Sequence, residues 1–129
     1  MMNIESFSPE ITEQTGYEIG QKVQPGTVIC LNGDLGVGKT VFTQGFALGL
    51  GIDEPISSPT FTIVQEYHEG RLALYHFDVY RLADIDEFYA IGGQEYFEKG
   101  ICIIEWGELI LDALPENYIM LREQHPEAC

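Results

Sequence analysis

Residues Gly33-Asp34-Leu35-Gly36-Val37-Gly38-Lys39-Thr40 satisfy the pattern G-x-x-x-x-G-K-[ST] in full, and their flanks leave few folds open to the chain. The run Thr27-Val28-Ile29-Cys30-Leu31 precedes the loop and predicts a short strand buried on both faces. Lys39 to Leu50 follows it and predicts a helix that stops near Gly49-Leu50-Gly51. A strand, a glycine loop and a helix in that order belong to a layered α/β structure with the strand inside the sheet.

The loop has a physical use. Glycines let it wrap closely, so that successive backbone N–H groups point at phosphate oxygens. The helix that begins at Lys39 brings its positive end to the same anion. Lys39 adds a mobile charge for the β- and γ-phosphates, and the Thr40 hydroxyl suits Mg2+. The residues Gly33, Asp34, Leu35, Gly36, Val37, Gly38, Lys39 and Thr40 are therefore the candidate nucleotide-binding set.

The rest of the chain fits around this unit. Ser8 to Lys22 predicts a first helix, with Ser8 as cap, Pro9 in the first turn, and Ile11, Thr15, Ile19 and Val23 as its apolar face. Phe61–Tyr67 and Leu72–Phe77 predict a hairpin joined at His68-Glu69-Gly70-Arg71. A helix is expected over Ile85–Ile91, a strand over Ile101–Ile104, and a last strand over Tyr118–Leu121. The expected fold is α/β, a P-loop NTPase-like three-layer sandwich around a central mixed, mainly parallel sheet. One domain over 1–129 is expected, since 129 residues suffice for one core and not for two.

Charge narrows the partners. Twenty-one acidic residues against 6 basic ones give a formal net charge of -15. Affinity for nucleic acid rests on cations that neutralise phosphates, so direct nucleic-acid binding is not expected and any such role would work through a partner. No apolar run approaches the ~18 residues of a membrane span, and Met1-Met2-Asn3-Ile4-Glu5 lacks the regions of a secretory signal. A cytoplasmic protein is expected. Cys30, Cys102 and Cys129 have no metal-like spacing and read as inert.

Phosphoryl chemistry needs an acid for the metal and a group to position water. Glu105 follows the apolar strand Ile101–Ile104, and Asp78 follows Leu74-Tyr75-His76-Phe77. The more uniformly apolar strand favours Glu105 for the metal and leaves Asp78 for water, but both stand at strand ends and the residues alone leave the division open. Ser57-Ser58-Pro59-Thr60 is either a γ-phosphate-sensing segment or an ordinary turn. Trp106 suits core or partner contact. His68, His76 and His125 have no metal spacing and read as ordinary structural or surface histidines, and Arg81 reads as a salt-bridge partner. A small-molecule kinase is the alternative, although a closing lid would need several arginines and the chain has Arg71, Arg81 and Arg122. A non-hydrolysing switch is another; the absence of Asn-Lys-x-Asp weakens it for GTP.

Four motifs in this order and spacing resemble one family: the glycine loop, Ser58-Pro59-Thr60-Phe61, His76-Phe77-Asp78-Val79-Tyr80-Arg81-Leu82 and Ile104-Glu105-Trp106. The set is similar to TsaE, the bacterial ATPase of tRNA threonylcarbamoyladenosine biosynthesis, from about Ser8 to Pro115. The resemblance implies weak ATPase activity that resets a complex of TsaB and TsaD between turnovers. It implies phosphate contacts from Leu35 to Thr40, a catalytic role for Lys39, and a catalytic or nucleotide-sensing role for Asp78. It assigns Mg2+ to Thr40 and Glu105, a switch to Ser58 and Thr60, and partner coupling to Trp106. Ser8 to Thr12 matches the stretch near the adenine. The family also implies strands and a basic residue past Pro115, where Arg122 lacks a matching context, and a proline where this chain has Gly107.

Overall fold

The computed structural model describes residues 2–6, 8–36, 38–57, 59 and 63–123, with the backbone alone for 2–6 and 123. Strands β1 (Met2–Ser6), β2 (Val28–Leu31), β3 (Val64–Tyr67), β4 (Leu74–Asp78), β5 (Ile101–Glu105) and β6 (Ile119–Glu123) form one sheet in the order β1-β6-β2-β5-β4-β3. All pairings are parallel except β3 with β4. The expected mixed, mainly parallel sheet is therefore present. β2 lies inside it between β6 and β5, and every residue of β2 and β5 is buried, as their unbroken apolar runs require.

Alternation along the strands divides the core into two layers. Ile29, Leu31, Leu74, Ile101 and Ile103 pack with Phe42, Phe46 and Leu50 of α2 (Gly38–Leu50). Val28, Tyr75, Phe77, Cys102 and Ile104 pack on the other side with Phe88 of α3 (Ile85–Ala90), and with Ile110 and Ala113 of a 3-10 segment, Gly107–Ala113. Helices on both faces of the sheet make the three layers.

The face of α1 (Pro9–Lys22) is the expected one in part, since Ile19 and Val23 pack with the core. Ser8 caps it as expected, accepting from Ile11 N at 3.3 Å. Its buried residues, however, are Thr12, Gly16 and Gly20, while Ile11 is 51% exposed. The reason is the close approach of α2. A Cβ on Gly16 would stand 2.6 Å from the Phe42 carbonyl oxygen, and one on Gly20 would collide with the Phe46 carbonyl. From the other side, Cβ atoms on Gly45 and Gly49 would collide with the carbonyls of Glu13 and Tyr17. Four glycines thus set backbone against backbone, and apolar periodicity is blind to that contact. Because Glu13 faces Gly45 and Tyr17 faces Gly49, the two helices run parallel, with their amino ends at the same end of the sheet.

Other differences are small. β1 was not expected; it pairs with β6 in parallel at the sheet edge. The hairpin is present, with β3 opposite β4, Tyr67 opposite Leu74 and a longer connection than expected; Phe61 and Thr62 of the expected first strand lie outside the described residues. Asp84 caps α3, accepting from Glu87 N. Gly93–Glu98 and Gly107–Ala113 form 3-10 segments that the sequence did not indicate.

Candidate nucleotide site

In a parallel sheet, the carboxyl ends of neighbouring strands open onto one crevice. β2 delivers the glycine loop there. Asn32 holds its start: its N–H donates to the Leu121 carbonyl at 2.9 Å, and its side-chain oxygen accepts from Asp34 N at 3.0 Å. Gly33–Leu35 form one 3-10 turn, and Leu35 is buried in the core, which pins the loop from beneath. Gly36 then takes φ 55° and ψ -123°, a backbone that suits glycine. Lys39 and Thr40 fall in the first turn of α2, where the positive end of the dipole favours an anion; the Lys39 N–H donates to the Gly36 carbonyl at 3.2 Å.

β5 and β4 deliver the acids. Glu105 ends β5 and pairs in register with Leu31 on one side and Asp78 on the other. Both carboxylates suggested by the sequence therefore end adjacent strands, with Glu105 next to the strand that feeds the loop. Glu105 is 5% exposed, and its Oε2 meets His76 Nε2 at 2.6 Å. Asp78 Oδ1 accepts from Tyr80 N at 3.0 Å, and Asp78 N donates to the Ile63 carbonyl at 2.9 Å, which anchors that strand end.

Trp106 closes one side. It has φ 64°, the one positive-φ non-glycine residue among those described, and this turn aims its ring at the loop. A Cβ on Gly33 would collide with the ring, so glycine at that position makes room for tryptophan. Lys39 Nζ lies 4.4 Å from the ring centroid, and Tyr80 packs on the ring at 4.7 Å. Two residues on, Glu108 Oε2 accepts from Gly33 N at 2.9 Å.

The crevice thus brings together the described loop residues Gly33, Asp34, Leu35, Gly36, Gly38, Lys39 and Thr40 with Asp78, Glu105 and Trp106. Val37, Ser58 and Thr60 lie outside the described residues. Sequence reasoning missed Glu108, Tyr80 and the partnership of His76 with Glu105. The strand period was a usable signal for the histidine, because His76 and Asp78 fall on one face of β4.

The donor chemistry fits Mg2+: a hydroxyl and carboxylates are hard oxygen ligands. No cluster of three or more His, Cys, Asp or Glu side chains that could hold a metal occurs among the described residues. An ion that takes one or two protein oxygens and leaves the rest to phosphates does not need such a cluster. Arg71, one of three arginines available to a kinase lid, donates instead to the carbonyls of Gly20 and Val23 at 2.9 and 3.1 Å, holding the end of α1. A cleft of about 590 Å3 lined by Pro25, Gly26, Phe97 and Leu114 lies by the residues leading into β2 and β5. That is the opposite end of the strands from the loop, and it contains none of the candidate residues. No helix among the described residues is long and apolar enough to cross a membrane.

The chain is similar to known proteins of one family. Residues 6–128 match the family described as Threonylcarbamoyl adenosine biosynthesis protein TsaE. The chain is 50% identical over 121 residues to the tRNA threonylcarbamoyladenosine biosynthesis protein TsaE of Treponema pallidum, covering 93% of this chain and 89% of that one. It is 47% identical over 117 residues to the protein of the same name from Bacillus subtilis, covering 90% and 73%. The crystal structure of Bacillus subtilis YdiB superposes with a TM-score of 0.68 at 39% identity, over 93% of this chain and 74% of that one.

Proposed function

The chain belongs to the TsaE family, a family of tRNA threonylcarbamoyladenosine biosynthesis, and from that premise we propose that it is a Mg2+-dependent ATPase acting on a complex of TsaB and TsaD in the cytoplasm. One observation carries the ATPase assignment: the glycine loop, Asp78 and Glu105 meet at the carboxyl ends of β2, β4 and β5.

Each residue then has a task. Lys39, which leaves the Trp106 face, and the positive end of α2 hold the ATP phosphates; the loop amides from Gly33 to Gly36, which donate to protein oxygens in this structure, turn to the phosphates when ATP binds. Thr40 and Glu105 hold Mg2+, which neutralises charge on the phosphates when bound. Asp78, beside Glu105, orients the attacking water. Ser58 and Thr60 serve as the phosphate-sensing segment, and Trp106 couples the loop to a partner through the exposed Tyr80, which is 60% accessible. The chain's -15 charge favours protein partners over direct contact with tRNA.

A kinase is disfavoured because Arg71 is engaged in holding α1. The experiment is ATP turnover by the intact protein, alone and with TsaB and TsaD, beside Lys39→Ala. Stimulation by the partners and its loss in the variant are expected. Phosphate transfer to a metabolite, or an absence of ATP binding, would overturn the assignment.

A further inference from the structure

We propose that His76 is a positioning residue for Glu105, fixing the carboxylate that holds Mg2+; this rests on the Mg-ATP assignment above. Leu74 of β4 belongs to the core layer beneath α2, and Tyr75 and Phe77 belong to the opposite layer. His76 and Asp78, at even steps from Leu74, therefore share the α2 side. In the parallel register His76 stands level with Ile103 and Asp78 with Glu105. The imidazole thus lies one step below both acids, on their face of the sheet.

The contact is short and dry. Nε2 and Oε2 are 2.6 Å apart, with side-chain exposures of 2% and 6%. A carboxylate only accepts hydrogen bonds, so Nε2 donates, and a bond to a charged acceptor is among the stronger kinds. Nδ1 is buried and has no hydrogen-bond partner among the described residues. A position whose sole need was packing would be better served by leucine or phenylalanine, as its neighbours Leu74 and Ile103 illustrate. An imidazole left half-satisfied there costs stability, and what it supplies in return is one donor to Glu105. That donor fixes the plane of the carboxylate before Mg2+ arrives, and such partners typically set metal affinity within a factor of about 10–100.

The test is a Mg2+ titration, starting from EDTA, of the intact protein with a fluorescent ATP analogue. It compares wild type with Glu105→Gln, His76→Phe, His76→Gln and His76→Asn, and thermal unfolding of each variant is followed alongside. The glutamine amide nitrogen reaches the place of Nε2, whereas that of asparagine reaches only the place of Nδ1. The two variants bury the same group and differ in reach. Analogue binding in EDTA is expected to be the same for all. His76→Phe and His76→Asn are expected to need about 10–100-fold more Mg2+, as Glu105→Gln does, and His76→Gln is expected to restore the wild-type response. Should His76→Phe fail to fold, the glutamine and asparagine pair decides. A wild-type Mg2+ response in folded His76→Phe, or equal responses of His76→Gln and His76→Asn, overturns the positioning role and leaves the Mg-ATP assignment standing. A wild type without any Mg2+ response, or Glu105→Gln with an unaltered one, overturns the assignment and the inference together.

Discussion

Lys39 holds its ammonium 4.4 Å from the centre of the Trp106 ring, so the cation of the glycine loop is stacked on the aromatic wall of its own site. A contact of this kind contributes about 0.5–2 kcal/mol depending on solvation, small enough for a triphosphate to compete successfully for the lysine.

Trp106 is the one tryptophan in the chain, so its emission reports this exchange directly. Adding ATP is expected to shift the emission as Lys39 leaves the ring. Lys39→Ala should carry a different resting spectrum and respond weakly. An ATP-saturated wild type with an unchanged spectrum would show that the lysine stays where it is.

Lys39→Ala and Glu105→Ala should separate binding from the metal-dependent step. Lys39→Ala is expected to lower ATP affinity about tenfold or more, since a charge-assisted contact is typically worth about 1.5–3 kcal/mol. Glu105→Ala should retain affinity in EDTA and lose about 100-fold or more in turnover, the scale of a removed transition-state contact. Calorimetry and a phosphate-release assay measure the two.

The contact between α1 and α2 predicts an inversion of ordinary helix propensity. Alanine usually stabilises a helix by about 1 kcal/mol relative to glycine. At Gly16 or Gly45 it meets a carbonyl of the facing helix, so Gly16→Ala and Gly45→Ala are expected to destabilise by about 1–3 kcal/mol through overpacking. Ile11→Ser, on the exposed face, should change stability by less than about 0.5 kcal/mol. Denaturant unfolding checks all three; a stabilised Gly16→Ala would refute the close contact.

Burial pushes the Cys30 thiol from 9.0 up to about 12, with the charge of Glu108 adding to the effect, and burial pushes Cys102 from 9.0 up to about 12. A raised folded value means that the folded chain holds these protons more tightly. The linked stability is complete below pH 9 and is lost as pH climbs from 9 toward 12. Unfolding free energy measured across that window should fall, and more gently in Cys30→Ala. Neither thiol should react with an alkylating reagent at neutral pH while the chain is folded.

Features that depend on local pattern were legible in the sequence. The run Val28–Leu31, the glycines after it and the helix to Leu50 each follow from residue types a few positions apart, and the strand, loop and helix stand where the sequence put them. Glu105 and Asp78 were legible as strand ends. Features that depend on register were not. Nothing near His76 in the chain announces Glu105, because their meeting requires β4 to lie beside β5 in one particular alignment. The face of α1 was legible only in part, through Ile19 and Val23, for a related reason: Gly16 and Gly20 carry no hydrophobic signal, yet they are the surface on which α2 rests. The hydrogen bond from Gly33 to Glu108 likewise spans 75 residues of chain.

Where two helices touch through side chains, a shift in one can be absorbed by rotamer changes in between. Gly16, Gly20, Gly45 and Gly49 leave little there to rearrange. α1 and α2 therefore act as a single stiff plate, with Ser8 and Lys39 on the same edge. A tilt of α2 at its loop end would carry the amino end of α1 with it, which joins the loop to a second surface of the molecule.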